Sequence, residues 1–138
     1  MKGRVLILLT AAMLLLSACA IGTDQQDGKK DAAEGVYQKI TAEEAKAKMD
    51  EEDVTIVDVR TKEEYDEGHI PDAILLPVEN IGKDPPKELP DKDAVLLIYC
   101  RSGRRSKDAA NELLKLGYKN VYDFGGIIDW PYDTVKEE

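Results

Sequence analysis

Histidine and cysteine are scarce in this chain of 138 residues, which has one His and two Cys. One imidazole and so few thiols make a poor ligand set for a metal ion. A cysteine hydrolase would have only His69 to use as its base, and a disulfide framework of the kind that staples small secreted folds is excluded. Long apolar runs are missing too. Residues 5–16 are apolar except for Thr10, too short a run to span a bilayer comfortably. Positive charge is in deficit, with 19 Lys and Arg against 28 Asp and Glu, and the formal net charge of −9 argues against a nucleic-acid partner. No internal repeat or low-complexity tract occurs.

Against that acidic background one stretch stands out: Cys100, Arg101, Ser102, Gly103, Arg104, Arg105, Ser106, followed by Lys107. An apolar run, Val95, Leu96, Leu97, Ile98 and Tyr99, leads into it, and a helix-period segment with Ala109, Ala110, Leu113 and Leu114 leads out to Gly117. This pattern predicts a strand, a tight polar turn and a helix, with Cys100 where the buried strand surfaces. Backbone N–H groups at the helix N-terminus and three Arg side chains favour an anion there. Helix N-termini and nearby cations also favour the thiolate form of a cysteine, the form that acts as a nucleophile. A small anionic substrate is therefore expected at this loop, with Cys100 available as the nucleophile.

The amino terminus carries a different message. Lys2 and Arg4 precede the apolar segment, whose length suits an export-signal core. Leu16-Ser17-Ala18-Cys19 resembles the bacterial lipobox, which implies cleavage after Ala18 and a lipid on Cys19. Residues 1–18 are thus read as a lipoprotein signal peptide, and 19–35 as the lipidated Cys19 with a flexible polar tether, too poor in apolar residues to fold. Residues 36–138 are read as one domain. The expected location is the bacterial cell envelope, outside the cytoplasm and membrane-anchored through multiple acyl chains. With Cys19 lipidated, Cys100 has no partner thiol, and an unpaired cysteine in an oxidising compartment calls for a reason such as catalysis.

Along that domain, Tyr37 to Ile40 fits a short first strand. Thr41 with Glu44, and again Thr61 with Glu64, fit capping boxes that open helices. Between them, Val54 to Val59 reads as a buried β-branched strand. Ile74-Leu75-Leu76 is a third apolar run, and Pro85, Pro86 and Pro90 make an irregular connector. The helix after Cys100 is expected from about Ser106 to Leu116, closed by a left-handed Gly117. A last strand, Val121 to Phe124, is expected to break at Gly125-Gly126, after which a turn packs Trp130 on the domain. Alternating strands and helices predict an α/β domain with a mainly parallel sheet and helices on both faces. Ligands of such sheets sit beyond the strand carboxyl ends, where Cys100, Asp58 and Arg60 fall.

Taken together, Asp58-Val59-Arg60, Glu64-Tyr65, Gly68-His69-Ile70-Pro71, the Cys100 to Ser106 loop, and Gly125-Gly126 with Trp130 resemble the single-domain rhodaneses, or thiosulfate sulfurtransferases. The resemblance spans the folded domain from about Tyr37 onward. It implies a rhodanese-like α/β fold with a central five-stranded sheet, and a persulfide carried on Cys100. It implies that Arg101 to Arg105 cradle the outer sulfur and that Asp58 and Arg60 stabilise the fold near the site. Sulfane sulfur would move from thiosulfate or a related small anionic donor to a thiol or cyanide acceptor. No metal or organic cofactor is needed, and a redox or sulfur-carrier protein is a possible partner. Two departures from the family pattern stand out: Asp72 occupies a position usually held by Gly, and Leu75 one where Asn is common.

Two rivals share part of this signature. Phosphatases and arsenate reductases also start an anion loop with Cys, but place Arg six positions later, where this chain has Ser106. A rhodanese-like binding module that has lost activity would keep the fold without needing Cys100 and its basic loop.

Overall fold

The computed structural model describes residues 34–138. The expected signal peptide (1–18), Cys19 and all but the end of the expected tether (19–35) lie outside the described residues. Five strands form one sheet: β1 (Gln38–Lys39), β2 (Val54–Asp58), β3 (Ile74–Leu75), β4 (Val95–Cys100) and β5 (Asn120–Gly126). Their order is β1-β5-β4-β2-β3, and every pairing is parallel. The helices are α1 (Ala42–Glu51), α2 (Lys62–Glu67) and α3 (Arg104–Lys115). Single 3-10 turns at Val78–Asn80 and Ile127–Asp129 complete the regular elements among the described residues.

Period-two alternation along the strands creates a core on each side of the sheet. From β4, Leu96, Ile98 and Cys100 face α3, meeting its Ala109, Ala110 and Leu113 together with Val57, Val59 and Val121. Leu97 and Tyr99 face the other way, toward Ala45 of α1, Tyr65 of α2, Ile70 and Phe124. Both faces are covered, so β4 reads as a continuous apolar run. Trp130 packs on Phe124 with ring centroids 5.6 Å apart, closing the second core.

Both capping boxes form. Thr41 and Thr61 each accept from the backbone of the third helical residue, and Glu44 and Glu64 reach back to the cap amide. Asp72, one of the two departures from the expected family pattern, has φ +67°. Left-handed backbone is a place for Gly, and Asp is among the few residues that tolerate it, which accounts for Gly being usual there.

Two boundaries differ from the sequence-based expectation. Helix α3 starts at Arg104, two residues early, because Gly103 adopts φ +103° and becomes the N-cap itself. Strand β5 does not break at Gly125-Gly126 but runs through to Gly126 across a bulge, since Ile98 pairs with Asp123 and Cys100 with Gly126. Gly125 supplies φ +90° at that bulge, and its N–H is taken by Asp123 Oδ1 at 2.9 Å.

Candidate active site

Cys100 ends the central strand β4, and its side chain points to the α3 face, 1% exposed. The chain turns at once through Arg101, Ser102 and Gly103 into α3. The Gly103 amide donates to Cys100 Sγ at 3.0 Å. The buried Ser106 hydroxyl lies 3.6 Å from the same sulfur. Gly126, at the end of the neighbouring strand β5, makes room for this turn. A Cβ there would overlap the Arg101 carbonyl and come 2.7 Å from Ser102 Cα. Gly126 is thus required by the close approach of the loop to β5.

The electrostatics of α3 differ from those of its sisters. Helices α1 and α2 carry acids in the first turn and side-chain caps. Helix α3 has no side-chain cap, no acid and two Arg in its first turn. Cations at the positive end of a helix are unfavourable by themselves, so an anion at this N-terminus would relieve both the dipole and the guanidinium groups. Arg101, Ser102 and Arg104 are exposed around the loop, whereas Arg105 is half-buried.

Arg105 is already engaged. Its two terminal nitrogens donate to Glu64 of α2 at 2.7 and 2.9 Å. The Arg105 hydrogen bond holds the Glu64 carboxyl down at about 2, against the opposing effect of burial. The same carboxylate caps α2, accepting from Thr61 N at 3.0 Å. One side chain therefore closes a helix and locks α2 to the Cys100 loop.

Asp58 and Arg60 form a second buried pair, at the end of β2. Arg60 donates to Asp58 through Nε at 2.9 Å and Nη2 at 2.7 Å, and its Nη2 also reaches the Gly68 carbonyl at 2.7 Å. Tyr99 hydroxyl donates to Asp58 at 2.7 Å and accepts from the Ile70 amide. Burial, reinforced by the Asp58 charge, pushes the Tyr99 phenol far up, so it stays a neutral donor. Tyr99 points to the opposite face from Cys100, which sets its contact with Asp58 behind the sulfur, while Arg60 reaches the cleft beside the loop. His69 likewise faces away from Cys100, stacked on Tyr65 at 3.7 Å with Nδ1–H donating to the Tyr65 carbonyl.

Sequence reasoning named Ser106 only as the end of the loop, and it missed Asp123 and Tyr37, which the fold links to the sulfur through Ser106. Ser106 and Asp123 are fully buried and joined at 2.7 Å, and Tyr37 reaches Asp123 from β1's end of the sheet at 2.6 Å. A charged residue inside the apolar run Val121 to Phe124 was the available signal. A cleft of about 350 Å³ opens beside the loop, with Arg60, Arg101 and Ile128 among its walls.

Residues 41–131 match the rhodanese-like domain family, and the chain belongs to it. A protein of Allochromatium vinosum named sulfurtransferase is 48% identical over 82 residues, covering 59% of this chain and 75% of its own length. Thiosulfate sulfurtransferase PspE of Escherichia coli is 34% identical over 80 residues, covering 58% and 77% respectively. Among solved structures, a rhodanese-like domain protein from Staphylococcus aureus superposes with a TM-score of 0.63 at 34% identity, over 73% of this chain and 99% of its own. A structure described as rhodanese with anions from E. coli gives 0.57 at 32% identity, over 62% of this chain and all of its own. The fold is thus the rhodanese-like fold, and the named relatives are sulfurtransferases.

Proposed function

We propose that this protein is a sulfurtransferase that carries sulfane sulfur as a persulfide on Cys100. The observation that carries the reading is the Gly103 amide on Sγ, at the start of a helix left uncapped and cationic. The Cys100 thiolate attacks the outer sulfur of thiosulfate. Its electron pair forms the new S–S bond while the old S–S bond breaks, its pair leaving with sulfite. Negative charge then sits on the outer sulfur, beside the loop and the α3 N-terminus. A thiol or cyanide attacks that sulfur in turn and regenerates the thiolate, a ping-pong exchange akin to thiol–disulfide chemistry. Arg101 and Arg104, exposed at the rim, attract the dianion, and Arg105 fixed by Glu64 forms a charged wall. With no second thiol in the domain, the acceptor is external: a small thiol or a sulfur-carrier protein.

One observation favours a second reading. At 1% exposure, Cys100 is as buried as the core around it, which would suit an inert thiol in a binding module. Intact mass separates the two in the full chain bearing Cys19→Ser, where Cys100 is the sole thiol. A gain of one sulfur with thiosulfate, removed by cyanide, is the expected result. No adduct with thiosulfate or polysulfide, together with no alkylation at neutral pH, would establish the inert module.

Lipid attachment at Cys19, and with it an extracytoplasmic, membrane-bound location, is proposed on the lipobox-like sequence ending at that residue. Metabolic labelling with an alkyne fatty acid, lost in Cys19→Ser, is the expected outcome; label retained by the variant would refute it.

A further inference from the structure

Asp123 is a fully buried carboxylate that the proposed chemistry does not use. Among the described residues it is held by three donors and no cation: Tyr37 hydroxyl at 2.6 Å, Ser106 hydroxyl at 2.7 Å and Gly125 N–H at 2.9 Å. A buried carboxylate so held remains a strong acceptor.

Ser106 has a single hydroxyl hydrogen and three oxygens within reach: Asp123 Oδ1 at 2.7 Å, the Gly103 carbonyl at 3.1 Å and the Gly125 carbonyl at 3.4 Å. The carboxylate oxygen is the nearest of the three, so the hydrogen points at Asp123. A lone pair of Ser106 is then left facing Cys100 Sγ at 3.6 Å. That lone pair suits a thiol hydrogen or an uncharged sulfur, and opposes a bare thiolate. Persulfide formation moves the negative charge from Sγ to the outer sulfur, one atom further from Ser106.

We infer that Asp123, acting through Ser106, is a positioning residue that disfavours charge on Sγ and so holds Cys100 toward the loaded persulfide rather than the empty thiolate. The inference rests on the persulfide reading above. Tyr37 sets the strength of the effect from the edge of the sheet, because its hydroxyl takes part of the Asp123 charge. Removing that hydroxyl tightens the grip of Asp123 on the Ser106 hydrogen; removing the carboxylate charge frees the hydrogen to turn toward sulfur.

The test is the loading equilibrium, in which Cys100 thiolate and thiosulfate exchange with Cys100 persulfide and sulfite. It is measured by intact mass on the full Cys19→Ser chain across thiosulfate-to-sulfite ratios, on the alkaline plateau where loading no longer changes with pH. Asp123→Asn should lower the equilibrium constant about tenfold, the scale of one hydrogen bond to a charged group. Tyr37→Phe should raise it about twofold to threefold, by the loss of one shared donor. In a Ser106→Ala background Asp123→Asn should change nothing further. A merely structural role would move both single variants the same way. That result, an unchanged constant in Asp123→Asn, or an effect that persists without Ser106 would overturn the inference. Where Asp123→Asn does not fold, the sign in Tyr37→Phe decides alone: a constant that falls or stays put overturns it. A parent chain that takes no sulfur from thiosulfate or polysulfide and resists alkylation would instead refute the persulfide reading, and the inference with it.

Discussion

Glu64→Gln isolates the clamp between α2 and the Cys100 loop. Gln can still close the capping box, since Glu and Gln both serve at that position. What is lost is the charge opposite Arg105. Depression of the Glu64 carboxyl from 4.5 to about 2 sets a ceiling of about 3 kcal/mol on the contribution of its charge. Both side chains are about a quarter exposed, at 27% and 26%, so solvent screens part of this. A bidentate pair in that setting is expected to contribute about 1–2 kcal/mol, or about 5–10 °C in melting temperature for a domain of this size. The pH dependence follows from the direction of the shift. A carboxyl depressed by folding stabilises above its unfolded value and loses that contribution as pH falls through its folded value. The gap between parent and variant should therefore be flat above about pH 5.5, shrink below 4.5 and vanish near 2. Chemical denaturation from pH 3 to 7 measures it. A gap independent of pH, or a melting shift under about 1 °C, would refute the reasoning.

Cys100→Ser should abolish sulfur transfer while costing no more than about 1 kcal/mol, because the hydroxyl can still accept from Gly103 and meet Ser106. Activity surviving in that variant would remove Cys100 from the chemistry. Arg60→Met strips the counter-charge from the fully buried Asp58, and a loss of about 3–5 kcal/mol in urea denaturation is expected. At Asp72, Ala should cost about 1 kcal/mol, because it lacks the polar side chain that eases left-handed backbone, whereas Gly should be neutral or mildly stabilising. Equal effects of the two substitutions would mean that the backbone conformation is not what constrains the position.

The elements that sequence made plain are those with local causes. Thr41 with Glu44 and Thr61 with Glu64 announce helix starts through contacts three residues apart, and both boxes form. β-Branched runs announce β2, and a continuous apolar run announces β4, buried on both faces. The bulge in β5 has a local part as well, but its signal is ambiguous. Paired glycines read as a break, whereas here Gly125 absorbs a positive φ and Gly126 a close contact while the strand continues. Only the approach of the Arg101 carbonyl, from a loop some 25 residues earlier in the numbering, distinguishes the two cases.

The site divides along the same line. The nucleophile and its turn are contiguous, so Cys100 to Arg105 could be named as a group. Their electrostatic state could not. Arg105 reads as a free anion ligand until Glu64, 41 positions away, is seen on both of its terminal nitrogens. Asp123 reads as an oddity in a strand until Tyr37, 86 positions away, and Ser106 are found on its two oxygens. In each case a carboxylate from one element fixes a group that borders the sulfur. These carboxylates govern how much positive charge faces the donor and how much negative charge Sγ tolerates. Variation at positions 64 and 123 should therefore tune loading and discharge of Cys100 more finely than any change within the loop.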